Sequence, residues 1–358
     1  NIKMQYLSIA QQQLVEIAKA ISMQSKVLIM DEPTSALSPT EIKYLFKVIE
    51  KIKKQNVGII YISHKLDEIF SIADRITVFR DGTKITTENA GKLNNEDLIN
   101  MMVGRKLDDV FPPKERKSGK RVLTVDNLSS DKVHSLSFYI REGEIVGFSG
   151  LMGAGRTEMT KALVGIDKRT SGKVLIFDKP LPKNDPISAR KMGIGLVSEN
   201  RKELGILPNL SVEKNVSVVS LDQVSHGPVI NRSKERISTN AIVEELSIKT
   251  PSLTQLITKL SGGNQQKVML ARWLIKQNLK LLIIDEPTRG IDVGSKAEVY
   301  ELMHQLAKKG LSILMVSSEL SEVLGMCDRI YVMKEGKITG EFNAEDADEV
   351  TLLSKAIN

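Results

Sequence analysis

Two pairs of adjacent carboxylates stand out, because each ends an apolar run. Asp31-Glu32 follows Val27-Leu28-Ile29-Met30, Asp285-Glu286 follows Leu281-Leu282-Ile283-Ile284, and both pairs continue into Pro-Thr. Two acids at the end of a buried strand suit a division of labour: Asp31 or Asp285 holds a divalent cation, while Glu32 or Glu286 polarises an attacking water. A second group points to phosphate. Gly150-Leu151-Met152-Gly153-Ala154-Gly155-Arg156-Thr157 follows the pattern G-x-x-x-x-G-K-[ST] except at Arg156. Its glycines let backbone N–H groups face phosphate oxygens, and Thr157 can bind Mg²⁺. Arginine keeps the lysine's charge but is bulkier and forked, so the exchange is not neutral at a tight phosphate site. A third group, Leu260-Ser261-Gly262-Gly263-Asn264-Gln265-Gln266, is small and backbone-rich and opens a helix. A helix start carries unpaired N–H groups and partial positive charge, which suits a nucleotide phosphate.

These residues need elements to position them. The runs before both acidic pairs read as buried parallel strands, whose C-terminal ends are where open α/β sheets bind ligands. Leu14 to Met23 and Ile42 to Ile52 have helical apolar spacing, the second with Leu45, Val48, Ile49 and Ile52 inward, while Pro33 and Pro39 bracket a turn. Val57 to Ile62 is a further strand, with His64 just past its end. Ile76 to Phe79, Asp81-Gly82 and Lys84 to Thr86 form a hairpin signal. Later in the chain, Glu144 to Phe148 reads as the strand into the glycine loop, and Ile194 to Ser198 as the strand leading to Glu199.

The chain repeats itself. Residues 7–14 parallel 260–267, 27–34 parallel 281–288, and 59–64 parallel 313–318, while Asp74-Arg75-Ile76-Thr77-Val78 parallels Asp328-Arg329-Ile330-Tyr331-Val332. From the strand onward the offset is constant, so a duplicated domain is expected. In the second copy the glycine loop begins about 110 residues before Ser261, and nothing of that length precedes Leu7. The expected organisation is therefore the C-terminal part of a first domain over 1–105, without a phosphate loop, then a charged, Pro/Gly-bearing exposed linker over 106–120 and a second domain over 121–358. A start at Asn1, with no methionine, agrees with a missing N-terminus.

Composition narrows the class. The 358 residues allow two domains with sizeable cores, and 41% hydrophobic with 27% charged residues is ordinary for a globular chain. No run approaches the roughly 20 apolar residues of a membrane span, and no signal peptide is evident. Cys327 is the only cysteine, which excludes an intrachain disulfide and a cysteine-based zinc site; it reads as a small buried residue. The net charge of +7 permits an anionic partner, but the lysines are scattered.

The LSGGNQQ segment followed by hydrophobic-DEPT resembles the ATP-binding subunit of ABC transporters, which implies tandem α/β P-loop NTPase (ABC ATPase) domains, the first incomplete. Within that superfamily the tandem arrangement resembles the bacterial monosaccharide importers of the ribose/galactoside type. So do Met101-Met102-Val103-Gly104-Arg105, the Arg156 loop, Lys249-Thr250-Pro251 and Val316-Ser317-Ser318-Glu319-Leu320. The resemblance implies ATP and Mg²⁺ as cofactors and a peripheral position at the cytoplasmic face of the membrane. It implies two transmembrane permease subunits and a periplasmic or extracellular sugar-binding protein as partners, and no nucleic acid. Glu32, His64 and Glu286 would be catalytic, His64 as the switch histidine that contacts the γ-phosphate. Nucleotide would be held by Gly150, Gly153, Ala154, Gly155, Arg156, Thr157, Glu199, Ser261, Gly262, Gly263, Gln265 and Ser8, and metal by Thr157, Asp285, Asp31 and Glu199. Glu199 stands where the family usually has glutamine, Ser318 replaces a second switch histidine, and Ile9 replaces a signature glycine.

Family domains pair head to tail, each nucleotide lying between one domain's phosphate loop and the other's Ser-Gly-Gly motif. One site would combine a first phosphate loop, Asp31, Glu32 and His64 with the intact Ser261-Gly262-Gly263. The other would combine Arg156, Asp285, Glu286 and Ser318 with the altered Ser8-Ile9-Ala10. Every departure from the family pattern but one, Ser38 for the aspartate retained at Asp292, falls in the second site, so hydrolysis is expected at Glu32 and His64. Ribose is the expected sugar, with galactose or methyl-galactoside next. The rival readings are a soluble tandem ATPase acting on ribosomes or nucleic acid, and an inactive fragment.

Overall fold

The computed structural model describes residues 3–7, 9–22, 25–34, 37–63, 65–80, 82–103, 111–114, 119–276 and 278–357. Ser8 and His64 lie outside them. The chain divides into two compact units, Asn1–Leu107 and Asp108–Asn358.

In the first unit, α1 (Ile9–Ser22), β1 (Val27–Asp31), α2 (Pro39–Lys53), β2 (Gly58–Ile62), α3 (Leu66–Ile72), β3 (Arg75–Arg80), β4 (Thr83–Asn89) and α4 (Asn95–Val103) follow in order. Pro39, expected in a turn, is instead the first residue of α2. Ser38 caps this helix, its backbone N–H donating to Glu41 at 2.7 Å while its hydroxyl accepts from the Glu41 N–H. A fixed φ suits proline to that position. α2 then turns Leu45, Ile49 and Ile52 into a small core with Ile17, Leu28, Met30 and Ile72. β1 and β2 pair in parallel from Val27↔Gly58 to Asp31↔Ile62, and β3 and β4 form an antiparallel hairpin.

The second unit opens with β5 (Arg121–Ser129), β6 (Leu136–Arg141) and β7 (Ile145–Gly150), then α5 (Arg156–Val164), β8 (Ser171–Ile176), β9 (Lys179–Pro180), α6 (Pro186–Lys191) and β10 (Ile194–Val197). A helical region follows: α7 (Val212–Ser217), α8 (Leu221–Val224), the short pair β11 (Ser225–His226) and β12 (Val229–Ile230), α9 (Arg232–Glu245) and α10 (Gly262–Leu274). It ends with β13 (Leu281–Asp285), α11 (Val293–Lys308), β14 (Ser312–Val316), α12 (Leu320–Met326), β15 (Arg329–Lys334), β16 (Lys337–Asn343) and α13 (Glu349–Ile357). The main sheet has the order β10-β13-β14-β7-β15-β16, parallel except for β16, and a smaller antiparallel sheet runs β6-β5-β8-β9. One core fills the space between the two sheets and α5, with Phe148 stacked on Tyr331 at 5.1 Å; a second lies on the opposite face, among α10 to α13. Cys327 is fully buried in the second core. Phe111 and Pro112, expected in an exposed linker, are packed. The Phe111 ring lies 5.1 Å from Tyr300, and Lys114 Nζ donates to the Leu324 carbonyl at 2.5 Å. Too apolar to stay in water, this stretch docks on the second unit.

The repeat is structural. β1, β2, β3 and β4 begin at residues 27, 58, 75 and 83, and β13, β14, β15 and β16 at 281, 312, 329 and 337, an offset of 254 in every case. Burial differs most on one face. Leu281, Ile283, Leu314, Val316 and Met333 line the core between the sheets, whereas their counterparts Val27, Ile29, Ile60, Ile62 and Phe79 are exposed, Ile29 at 64% against 0% for Ile283. In the second unit β7 lies between β14 and β15. In the first, a groove of about 690 Å³ lies between β2 and β3.

Candidate nucleotide site

The glycine loop of the second unit joins β7 to α5. Gly150, Gly153 and Gly155 have φ of 152°, 81° and 92°, backbone that a side chain strains. A Cβ on Gly150 would meet the Met333 carbonyl at 2.3 Å, while one on Gly153 would meet nothing within 4 Å. Gly150 is therefore required by packing, and Gly153 by the turn itself. Gly155 caps α5, which leaves the first N–H groups of that nine-residue helix available to an anion.

β13 ends beside this loop. Asp285 is buried, and burial pushes its carboxyl up to about 6, although a hydrogen bond from Thr157 opposes the shift. Asp285 Oδ1 has no partner. Burial also raises the Glu286 carboxyl, opposed by Ser318 and Arg156. The Ser318 hydroxyl donates to Glu286 Oε2 at 3.0 Å, and Arg156 lies 3.8 Å from Oε1. Arg156 also donates to the Ser317 carbonyl at 2.5 Å. One guanidinium nitrogen of Arg156, Nη1, thus bridges the residues that follow β13 and β14. Glu286 has φ 52° and Glu32 has φ 43°, and each N–H donates at 2.8 Å to the last carbonyl of the next strand, Val316 or Ile62. A left-handed glutamate in both copies is the sort of held strain found at functional sites. In the first unit Asp31 and Glu32 are exposed.

Ser261 caps α10, and Gly262 and Gly263 form its first turn. A Cβ on Gly263 would sit 2.4 Å from Ser295 Oγ. Gly263→Ala should therefore cost about 1–3 kcal/mol through overpacking, read as a lower Tm; an unchanged Tm would contradict this packing. The Gln265 amide turns inward and donates to the carbonyls of Ile257 and Leu260, at 3.3 and 3.0 Å. Expected among the nucleotide contacts, it supports the signature loop from beneath. Among the described residues no hydrogen bond or ion pair joins 261–263 to 150–157, so the second unit does not bring its own signature onto its own phosphate loop.

Glu199, expected to hold nucleotide and metal, pairs with Arg289. Among the described residues no three metal-ligating side chains cluster, so any cation site is completed by other oxygens. Two features went unnoticed in the sequence. Arg201, in a π-helical turn (Arg201–Gly205), donates to the Gly262 carbonyl at 3.3 Å and the Gly290 carbonyl at 3.1 Å, tying the segment after Glu199 to the signature. Glu68 and Glu322 bind the loops beside Glu32 and Glu286; their recurrence at the repeat offset was the signal available.

The ABC transporter family pattern matches residues 1–35 and 133–289. The chain is 47% identical over 354 residues, 98% of its length and 70% of the relative's, to the ribose import ATP-binding protein of Clostridium tetani. It is 48% identical over 355 residues, 99% of its length and 68% of the relative's, to a protein of Halalkalibacterium halodurans named for ribose, galactose and methyl galactoside import. A solved ATP-binding cassette in a post-hydrolysis dimer with ADP and Pi shares the fold at TM-score 0.54 and 22% identity, covering 62% of this chain and 98% of that one. The phosphate loop, the strand-end acids and the capped signature helix all lie on that fold, and the chain belongs to the ABC transporter family of ATP-binding proteins.

Proposed function

We propose that this chain is the ATP-binding and ATP-hydrolysing subunit that drives monosaccharide import, with ribose the first candidate and galactose or methyl galactoside the next. The observation that carries the reading is the juxtaposition of the phosphate loop with Asp285 and Glu286, on a chain whose curated relatives are named for sugar import. Among the described residues no helix is long and apolar enough to cross a membrane. The subunit acts at the cytoplasmic face, on two permease subunits that receive the sugar from an external binding protein. Purification of the chain with those permeases, and ribose-dependent ATP turnover in vesicles by the protein whose first unit carries a phosphate loop, test this. Co-purification with ribosomes or DNA instead would overturn it.

The residues at the loop fit Mg²⁺. The unpartnered Asp285 Oδ1 and the Thr157 hydroxyl are oxygen donors of the kind the ion accepts, alongside phosphate and water. Bound there, the ion would neutralise charge on the nucleotide phosphates. Backbone N–H groups of 150–157 hold the phosphates, and Glu286 orients a water. Asp31, Glu32 and, outside the described residues, His64 take the corresponding roles in the other site. Ser261, Gly262 and Gly263 are offered to a nucleotide phosphate at the start of α10, Gln265 shapes that loop, and Ser8, outside the described residues, is the candidate for the same role in the first copy.

The two sites are unequal. Residues 1–105 are the C-terminal part of a first ABC domain, 106–120 connect it, and 121–358 form the second. The bare face of Val27, Ile29, Ile60, Ile62 and Phe79 and the groove between β2 and β3 support an incomplete first domain. In the second site the bridge from Arg156 to Glu286 and Ser317 holds the charge that lysine would give to phosphate. Arg156→Lys should tighten ATP binding roughly 10-fold, about 1.4 kcal/mol, in a titration followed by the fluorescence of Trp273. An unchanged or weaker affinity would show that the bridge does not compete with nucleotide.

A further inference from the structure

We infer that Glu68 and Glu322 are positioning residues of the two nucleotide sites, each anchoring the loop that carries the strained glutamate to the loop that faces it. This rests on the reading of Glu32 and Glu286 given above.

Glu322 is 2% exposed, at the start of α12. It accepts hydrogen bonds from Thr288, two residues after Glu286, and from the Ser317 hydroxyl at 2.6 Å, one residue before Ser318. Tyr300 adds a third at 2.6 Å, and Lys296 Nζ stands 3.7 Å away. Glu68, at the same point of α3, accepts from Thr34 at 2.7 and 2.8 Å, from Ser63 at 3.3 Å and from Tyr61 at 2.8 Å, with Lys65 Nζ at 3.1 Å. Burial pushes the Glu68 carboxyl up, but the hydrogen bonds from Thr34 and Tyr61, with Lys65, outweigh it and hold the group below the usual range.

The two copies differ in an instructive way. Threonine, serine and glutamate occupy equivalent positions, but the tyrosine and the lysine do not. Tyr300 comes from α11, where the first copy has Phe46; Tyr61 comes from β2, where the second has Met315. Lys65 and Lys296 are likewise non-equivalent, their counterparts being Glu319 and Ile42. A phenol and an ammonium thus reach the same carboxylate from different elements. What both copies keep is a buried carboxylate that accepts hydrogen bonds from a threonine, a serine and a tyrosine, and a polar group buried in this way needs such partners. The groups it fixes in both copies are the threonine behind the strained glutamate and the serine at the end of the neighbouring strand. A general packing role would not require that pairing.

The test is hydrogen exchange followed by mass spectrometry on the whole chain, which needs no nucleotide. Glu322→Gln should speed exchange in 286–291 and 317–319 roughly 10-fold or more, the consequence of losing one hydrogen bond to the carboxylate, while β7 and the interior of β13 stay protected. Tyr300→Phe should act in the same segments to a smaller degree, and Tyr300→Phe/Met315→Tyr, which copies the first unit, should restore protection. Uniform acceleration across the sheet, no acceleration, or no rescue by the double variant would overturn the inference. The preference for ATP over ADP should fall in Glu322→Gln, fall less in Tyr300→Phe, and recover from the Tyr300→Phe value in the double variant; a preserved preference beside a loosened loop would also overturn it. A wild-type chain that binds no nucleotide would contradict the proposed function and leave the exchange result decisive for the positioning role.

Discussion

Glu32→Gln should lower ATP turnover by about 10²–10⁴-fold, the usual span for a general base, in a protein whose first unit carries a strand and phosphate loop in the groove between β2 and β3. Glu286→Gln in the same protein should lower it less than about 10-fold. Both glutamates share the left-handed backbone and the same hydrogen bond to the neighbouring strand, so the scaffold does not separate them. Their surroundings do. Glu286 is faced by Arg156 and Ser318, which already occupy its carboxylate oxygens, and Ser318 stands where a switch histidine would. Glu32 belongs with the copy that has His64. Steady-state turnover of the two variants checks the assignment; unchanged turnover in Glu32→Gln with loss in Glu286→Gln would reverse it.

The second large effect is on stability. The same strand, loop and helix placed ahead of residue 1 should stabilise the first unit by on the order of 5 kcal/mol, because it covers several of Val27, Ile29, Ile60, Ile62 and Phe79 at about 1.5–3 kcal/mol for each fully buried side chain, less the cost of ordering the added segment. The second unit supplies the expected register. Val146 of β7 pairs with Leu314 and Arg329, and Phe148 with Val316 and Tyr331. At the repeat offset the incoming strand would lie between Ile60 and Arg75, then between Ile62 and Thr77. Calorimetry should show the transition of the first unit moving up while that of the second stays in place. No movement would mean the exposed face is not a strand seat.

Much of the site was legible in the sequence because its chemistry is local. The strand-end acids, the glycine loop and the Ser-Gly-Gly helix start are short runs whose backbone and side-chain roles follow from residue type, and β1, β13, α2 and the hairpin lie close to where periodicity put them. What was not legible depends on contacts across long separations. Gln265 is polar and near a phosphate motif, yet its amide serves the carbonyls of Ile257 and Leu260. Pro39 reads as a turn residue until Ser38 is seen to cap the helix it starts. The bridge from Arg156 to Ser317 spans 161 positions and the bond between Thr288 and Glu322 spans 34, and neither distance is written in a local pattern. The left-handed φ of Glu32 and Glu286 has no residue-type signature, since glutamate does not favour it.

The most direct measurement is Mg-ATP turnover by the chain of 358 residues beside the same chain with a strand–phosphate-loop–helix segment restored ahead of residue 1. Turnover is expected in the restored protein and little or none in the chain alone, which would place the chemistry at Glu32 and His64. Equal turnover in both would contradict it, because hydrolysis would then belong to the site of Arg156 and Glu286.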